Sequence, residues 1–421
     1  MLVVKGRAFF RGSLEALCLG IEEGRIVAVK KLLSGEDVHD HGDALLLPGC
    51  IDLHVHFRDP GFTHKEDFPS GTRSAAIGGV TTVLDMPNTR PPVTTRQDLE
   101  QKIEVVRGRA AVDYGLYAAP RSGSDVLRLR DATAFKVYMA ESTGGLQIEL
   151  DAVGDVLSKS AESGKLVVVH AEDPKLFQGT RASDLEGHAI VRPKESEVSA
   201  IRKLGERRGT AAVHVAHVTC AEALDAVPPG VTTEVTPHHL LLDVARRLGA
   251  FGKVNPPLRS RGDREVLWKA FVEGRVDIVA SDHAPHTLEE KEEGPFEEAP
   301  AGMPGVGTSF PLLLRKVKAG ELTLARLVSA IAARPAEILR ADKGTIDIGK
   351  DADLLVVDPR RVEPVTAKRL RYRCGWTPFE GMEACFPSAV YVRGERILEG
   401  SELVAEGVGR RIRVGTAAAS T

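Results

Sequence analysis

Cys50-Ile51-Asp52-Leu53-His54-Val55-His56-Phe57-Arg58 is an apolar run with a polar residue at every second position. Side chains alternate across an extended strand, so Asp52, His54, His56 and Arg58 fall on one side of it. Seven more apolar runs follow, at 81–86, 112–118, 133–139, 166–170, 212–218, 232–235 and 277–280. Helical stretches separate them, and strands alternating with helices read as βα units forming a parallel sheet. Eight such units predict an α/β chain built on a (β/α)8 barrel, spanning 48–343. Polar residues gather at the C-terminal ends of the runs: His54, His56 and Arg58, then Asn88, Lys136, His170, His217, Asp282 and His286. In a barrel those ends open on the face that holds active sites.

Outside this span, 1–47 and 344–421 read as short strands and turns, at 2–4, 16–21, 25–29, 344–358 and 389–396. Neither end alone can bury much apolar surface. The economical expectation is one small β-sandwich domain assembled from both termini.

Composition narrows the function classes. Of 421 residues, 43% are hydrophobic and 27% charged, with a net charge of -3 and both signs interspersed. No basic stripe of the kind that tracks nucleic acid is present. No apolar run approaches the roughly 20 residues that span a bilayer. The N-terminus enters strand-like sequence without a signal-peptide core, so a cytoplasmic location is expected. The five cysteines are scattered with no CxxC pair. Any metal must therefore be held by histidines and carboxylates. The chain has only two asparagines, Asn88 and Asn255, and four glutamines. Depletion of thermolabile amides points to a thermophilic source and makes both asparagines candidates for tasks that need an amide.

Two histidines at i and i+2 on a barrel strand can reach one metal from one wall, although such pairs also occur in cores. His170 closes the apolar run Leu166-Val167-Val168-Val169. It reads either as a ligand or as a core histidine bonded to backbone. His214 and His217 have opposite parity, so without a bulge only one faces the interior; position favours His217. Asp282 at a strand end could ligate metal, act as general base, or both. Histidines and carboxylate without thiolate fit zinc or another borderline divalent ion. In Ala134-Phe135-Lys136-Val137-Tyr138, alternation sends Lys136 inward. It could form an interior salt bridge with Asp282, or add carbon dioxide and become an anionic carbamate that bridges two ions. His238 and His239 read as packing residues, His64 as loop, and His39 and His41 as solvated.

With these residues placed, the chain resembles the dihydroorotases of the amidohydrolase superfamily over nearly its whole length. Leu47-Pro48-Gly49-Cys50-Ile51-Asp52-Leu53-His54-Val55-His56-Phe57-Arg58-Asp59-Pro60-Gly61 resembles the family's first signature, and Ser281-Asp282-His283-Ala284-Pro285-His286 followed by Lys291 resembles its second. Asp85-Met86-Pro87-Asn88-Thr89 and Lys253-Val254-Asn255-Pro256-Pro257-Leu258-Arg259 are similar to two further segments, and Gly349-Lys350-Asp351-Ala352-Asp353-Leu354 to the C-terminal one. The resemblance implies one or two zinc ions, two favoured, held by His54, His56, Lys136, His170, His217 and Asp282. Lys136 would be N6-carboxylated, with Glu141 as the substitute if it is not. Substrate contacts would be His56, Arg58, Asn88, Asn255, His286 and the backbone of Ala301 and Gly302. The implied reaction is the reversible cyclisation of N-carbamoyl-L-aspartate to L-dihydroorotate in pyrimidine synthesis. A metal-activated hydroxide would be the nucleophile and Asp282 the general acid/base. Arg58 argues for a substrate carboxylate against an allantoinase or hydantoinase, and the filled ligand positions argue against an inactive structural partner. A homo-oligomer is expected, with a transcarbamoylase as a candidate partner. Either 140–146 or 287–303 is expected to act as a lid.

Overall fold

The computed structural model describes residues 1–141, 144–179, 181–412 and 414. Its centre is a sheet of eight parallel strands in sequential order: Cys50–Val55, Val80–Asp85, Asp113–Ala118, Ala134–Tyr138, Val167–His170, Val213–Val215, Thr232–Val235 and Ile278–Val279. The sheet closes on itself. Val55 bridges His283 in parallel, and the His56 amide donates to the His283 carbonyl at 2.8 Å. This is the (β/α)8 barrel expected from the eight runs.

Alternation explains why these strands are apolar on both faces. Phe135, Val137, Val167 and Val169 join the large outer core with Val153, Val156 and Leu157 of the helix Leu150–Ser163. Those helix positions recur at three and four residues, so one stripe faces the barrel. Each such buried side chain contributes about 1.5–3 kcal/mol. The helix stops at Gly164, whose φ of 66° needs no Cβ. Val168 faces the other way and packs with Ile51, Leu53, Leu84, Tyr117 and Ile278 inside the barrel.

The second eight-stranded sheet joins the two ends of the chain. Leu2–Phe10, Ser13–Glu22, Arg25–Lys30 and Asp37–Pro48 come from the front; Leu354–Val357, Ala389–Val392, Glu395–Glu399 and Glu402–Leu403 come from the back. The seam is an antiparallel pairing of Leu45–Val357 through Pro48–Leu354. Val4, Leu19, Ile26, Leu46, Leu354 and Tyr391 belong to its separate apolar core. His39 and His41 are not merely solvated: a ring nitrogen of each lies 2.9 Å from Tyr391 Oη. Only Gly49 separates this sheet from the first barrel strand, and a Cβ there would collide with the Thr81 side chain. Further along, the Trp376 indole donates to the His286 carbonyl at 2.8 Å, buttressing the barrel mouth. No helix among the described residues is long and apolar enough to cross a membrane.

Candidate metal and substrate site

The side chains at the C-terminal ends of the barrel strands converge on a cleft of about 460 Å³. It is lined by His54, His56, Arg58, Asn88, Lys136, His170, His217, Asn255, Asp282, Ala301 and Gly302, together with Tyr138, Val254 and Ala284. His286 sits at its edge, its Nε2 3.2 Å from the Ala301 carbonyl.

Simple strand parity does not account for this convergence. The first barrel strand ends at Val55 and shifts register between Asp52 and Val55. Arg58 reaches the cleft through a left-handed backbone at φ 62°, and His217 and Asp282 do the same at 39° and 44°. Left-handed non-glycine residues cost on the order of 1–3 kcal/mol each and cluster at functional sites. The bend at His217 also resolves the parity conflict on the sixth strand. His214 and His217 both face inward: Glu234 accepts from His214 Nε2 at 3.1 Å, and His217 Nε2 lies 3.0 Å from His170 Nδ1 in the cleft.

The imidazoles are oriented from behind. His54 Nδ1 donates to Glu234, His56 Nδ1 to Asn88 Oδ1 at 2.6 Å, and His170 Nε2 to Glu172 Oε2 at 2.7 Å. With those protons fixed outward, the inward nitrogens carry lone pairs. His54 Nε2 and His56 Nε2 then face Asp282 Oδ1 at 3.4 and 3.1 Å, acceptor against acceptor. On the far side His170 Nδ1 lies 3.0 Å from His217 Nε2. Burial, the largest influence, lowers His56 to about 3 and lowers His170 and His217, so these rings are neutral at pH 7. Burial pushes the Asp282 carboxyl up, and positive charge at the His54, His56 and His217 positions is what pulls it down; with His56 and His217 neutral, that charge has to come from a cation. One ligand atom each of His54, His217 and Asp282 lies within 4.8 Å of the others. Lone pairs crowded in this way around a carboxylate need a cation between them, and the donor set suits a borderline divalent metal.

Lys136 is 1% exposed, with Nζ 3.5 Å from His54 Nε2. Among the described residues it makes no ion pair, with Asp282 or any other carboxylate. Burial lowers its ammonium to about 8. Glu141 is exposed and outside the cleft.

The other half of the cleft is built to donate. Asn88 Oδ1 is taken by His56, which turns its amide N–H groups to the cleft. His188 Nε2 does the same for Asn255, lying 2.9 Å from its Oδ1. Arg58 is 2% exposed; its Nε has no partner, and its guanidinium forms no ion pair among the described residues. Its contact is His286 Nε2 at 3.3 Å. Lys65 lies 3.2 Å from His286 Nδ1 and 2.6 Å from Glu290 Oε1. Nδ1 also lies 3.4 Å from Glu290 Oε2, so it accepts from Lys65 in one tautomer and donates to Glu290 in the other. Burial lowers His286 to about 3, so in either tautomer it is neutral at pH 7 and gives Arg58 no counter-charge; the guanidinium is left as a buried charge aimed at the cleft. Lys291 Nζ staples the loop behind, donating to Pro300 O at 2.7 Å and Ala250 O at 3.0 Å.

Several contributors escaped the sequence reading. Glu234 and Glu172 carried a usable signal, each being an acid within or just beyond an apolar strand. Lys65, on a turn, and Glu290, in the short helix Leu288–Glu292, are distant in sequence and carried none. His238 and His239 are buried and do not line the cleft. Of the two lid candidates, 140–146 includes Ser142 and Thr143, which lie outside the described residues.

A (β/α)8 barrel with histidines on the first, fifth and sixth strands and an aspartate after the eighth defines a class of metal-site hydrolases, and comparison with known proteins agrees. Residues 45–397 match the model of the amidohydrolase family. A dihydroorotase of Halobacterium salinarum is 41% identical, covering 92% of this chain and 94% of its own. One of Archaeoglobus fulgidus is 36% identical, covering 94% and 97%. Among solved structures, an L-hydantoinase (dihydropyrimidinase) from Arthrobacter aurescens superposes with a TM-score of 0.92 at 28% identity, covering 98% of this chain and 99% of that one. The chain belongs to the amidohydrolase family and, by relatives that match it almost end to end, to the dihydroorotases within it.

Proposed function

We propose that the protein is a hydrolase of cyclic amides that interconverts L-dihydroorotate and N-carbamoyl-L-aspartate, a step of pyrimidine synthesis. The observation that carries the substrate choice is Arg58. A buried guanidinium without a counter-ion is costly, and a substrate carboxylate would supply the missing charge through two parallel hydrogen bonds. Hydantoin and allantoin rings offer no carboxylate there. The fold likeness to a hydantoinase supports the shared cyclic-amide chemistry and does not account for Arg58.

His54, His56, His170, His217, Asp282 and a carboxylated Lys136 would hold one or two zinc ions, two favoured. Bound there, zinc would supply Lewis acidity and a hydroxide at neutral pH. The chain's own residues do the rest. Arg58 and Asn88 clamp the carboxylate, which fixes the ring in one orientation. Asn255 donates to the ring, and His286 stands between Arg58 and the Ala301 carbonyl that faces it. Asp282 takes the proton of the attacking water and delivers it to the leaving ring nitrogen; ring closure reverses both transfers. Glu234, Glu172 and Asn88 keep the histidine protons on the outward nitrogens throughout. The proposal includes a catalytic barrel at 48–343 flanked by terminal-sheet segments 1–47 and 344–421, a cytoplasmic location and a homo-oligomer.

The test is turnover by zinc-supplemented protein of dihydroorotate, hydantoin and allantoin side by side. Preference for dihydroorotate is expected; preference for either uncarboxylated ring would overturn the assignment.

A further inference from the structure

Three other buried tyrosines, Tyr117, Tyr372 and Tyr391, set their hydroxyls against partners. Tyr117 Oη donates to the Leu53 carbonyl at 2.9 Å, Tyr372 Oη accepts from the Gly307 amide at 2.8 Å, and Tyr391 Oη meets His39 and His41. Tyr138 is the exception. It is 1% exposed, it lines the cleft, and its Oη has no partner among the described residues. A buried hydroxyl left unsatisfied costs about 1–3 kcal/mol, so its persistence at the mouth of a binding cleft calls for a ligand.

The strand explains where the hydroxyl goes. Tyr138 follows Lys136 by two residues on the fourth barrel strand and faces the same way. Its ring stands against the cluster, 5.4 Å from Lys136 Nζ and 6.2 Å from the His170 ring. Tyr138 packs with Leu146, and Leu146 and Asn88 both flank Gly144, which puts the ring on the Asn88 side of the cleft. A phenol is protonated at neutral pH, so its hydroxyl is a donor there.

A carboxylate has about four lone-pair sites. The planar fork of Arg58 takes two, and the Asn88 amide takes a third. We propose that the Tyr138 hydroxyl donates to the fourth, making it a substrate-specificity residue for a carboxylated ring. This rests on the substrate reading above.

The test is Tyr138→Phe, which deletes the hydroxyl and keeps the ring. The carboxylate does not change during the reaction, so the lost bond weakens ground and transition states alike. A hydrogen bond to a charged group is worth about 1.5–3 kcal/mol. KM for dihydroorotate should therefore rise about 10- to 100-fold with kcat little changed, and orotate measured by calorimetry should bind weaker by a similar factor. The thermal midpoint of the ligand-free variant should hold or rise, because an unsatisfied buried group has gone. Orotate affinity equal to wild type overturns the inference, as does a loss confined to kcat, which would put the hydroxyl on the reacting carbonyl. A lowered midpoint with unchanged affinity assigns it to the fold and overturns the inference too. If the wild type neither turns over dihydroorotate nor binds orotate, the substrate reading itself falls and takes this one with it. If the wild type does both and Tyr138→Phe matches it, only the Tyr138 assignment falls.

Discussion

Replacing Arg58 with methionine keeps most of the apolar stem and removes the charge. In the free protein the guanidinium contributes little to stability: it is 2% exposed, its Nε is unpaired, and its contact is a neutral histidine nitrogen at 3.3 Å that offers no counter-charge. Arg58→Met should therefore fold at least as well as wild type, since a buried unpaired charge is unfavourable. With substrate the balance reverses. Two charge-assisted hydrogen bonds at about 1.5–3 kcal/mol each, allowing for their overlap, amount to roughly 3–5 kcal/mol. At about 1.4 kcal/mol per decade, kcat/KM for dihydroorotate should fall by about 10²–10⁴. Arg58→Lys should recover only part of this, because a point charge cannot form the parallel pair. The assay is the change in ultraviolet absorbance of dihydroorotate, with thermal denaturation of each variant alongside. A folded Arg58→Met enzyme within about threefold of wild-type kcat/KM would refute the carboxylate clamp.

Three further outcomes follow from the same geometry. Burial sets the Lys136 amine at about 8, and only the neutral amine adds carbon dioxide. Reactivation of metal-free protein by zinc at constant dissolved carbon dioxide should thus quicken about tenfold per pH unit below 8 and level off above it; a rate that falls with rising pH would exclude the carbamate. Lys65→Met removes the ammonium that ties His286 Nδ1 to Glu290, which should raise KM for dihydroorotate about tenfold, with Lys65→Arg restoring most of it; equal KM in all three proteins would remove Lys65 from the site. Glu172→Gln leaves the proton of His170 less firmly held, so zinc measured by competition with a chelator should bind about 10- to 100-fold weaker, and unchanged affinity would contradict the orienting role.

Much of the barrel and its mouth can be read directly from the chain. The outer faces of its strands are apolar because helices cover them, and several runs stop at or just before a polar residue of the cleft. That rule picks out Asn88, His170 and Asp282, and alternation within the run picks out His54 and Lys136. It fails where the backbone leaves the strand. The left-handed turns at Arg58, His217 and Asp282 set side-chain directions that period-2 alternation cannot anticipate; without such a bend, alternation leaves only one of His214 and His217 facing inward. The strand Asp37–Pro48 was missed because its first half, Asp37-Val38-His39-Asp40-His41-Gly42-Asp43, lacks apolar alternation. Its pairing comes from the neighbouring Leu2–Phe10 strand instead. Lys65 and Glu290 act on His286 only through tertiary contact, so no local pattern marks them. Tyr138 looked like one more apolar residue of its run, and only the missing partner of its hydroxyl sets it apart.

The central claim is that this barrel mouth holds metal on one side and a substrate carboxylate on the other. Crystals grown with zinc and soaked in dihydroorotate or orotate, with data collected on both sides of the zinc absorption edge, test it most directly. The expected result is anomalous density among His54, His56, His170, His217 and Asp282, extra density on Lys136 Nζ, and the ligand carboxylate against Arg58. A ligand bound with its carboxylate turned away from Arg58, or a histidine cluster without metal in an active crystal, would contradict it.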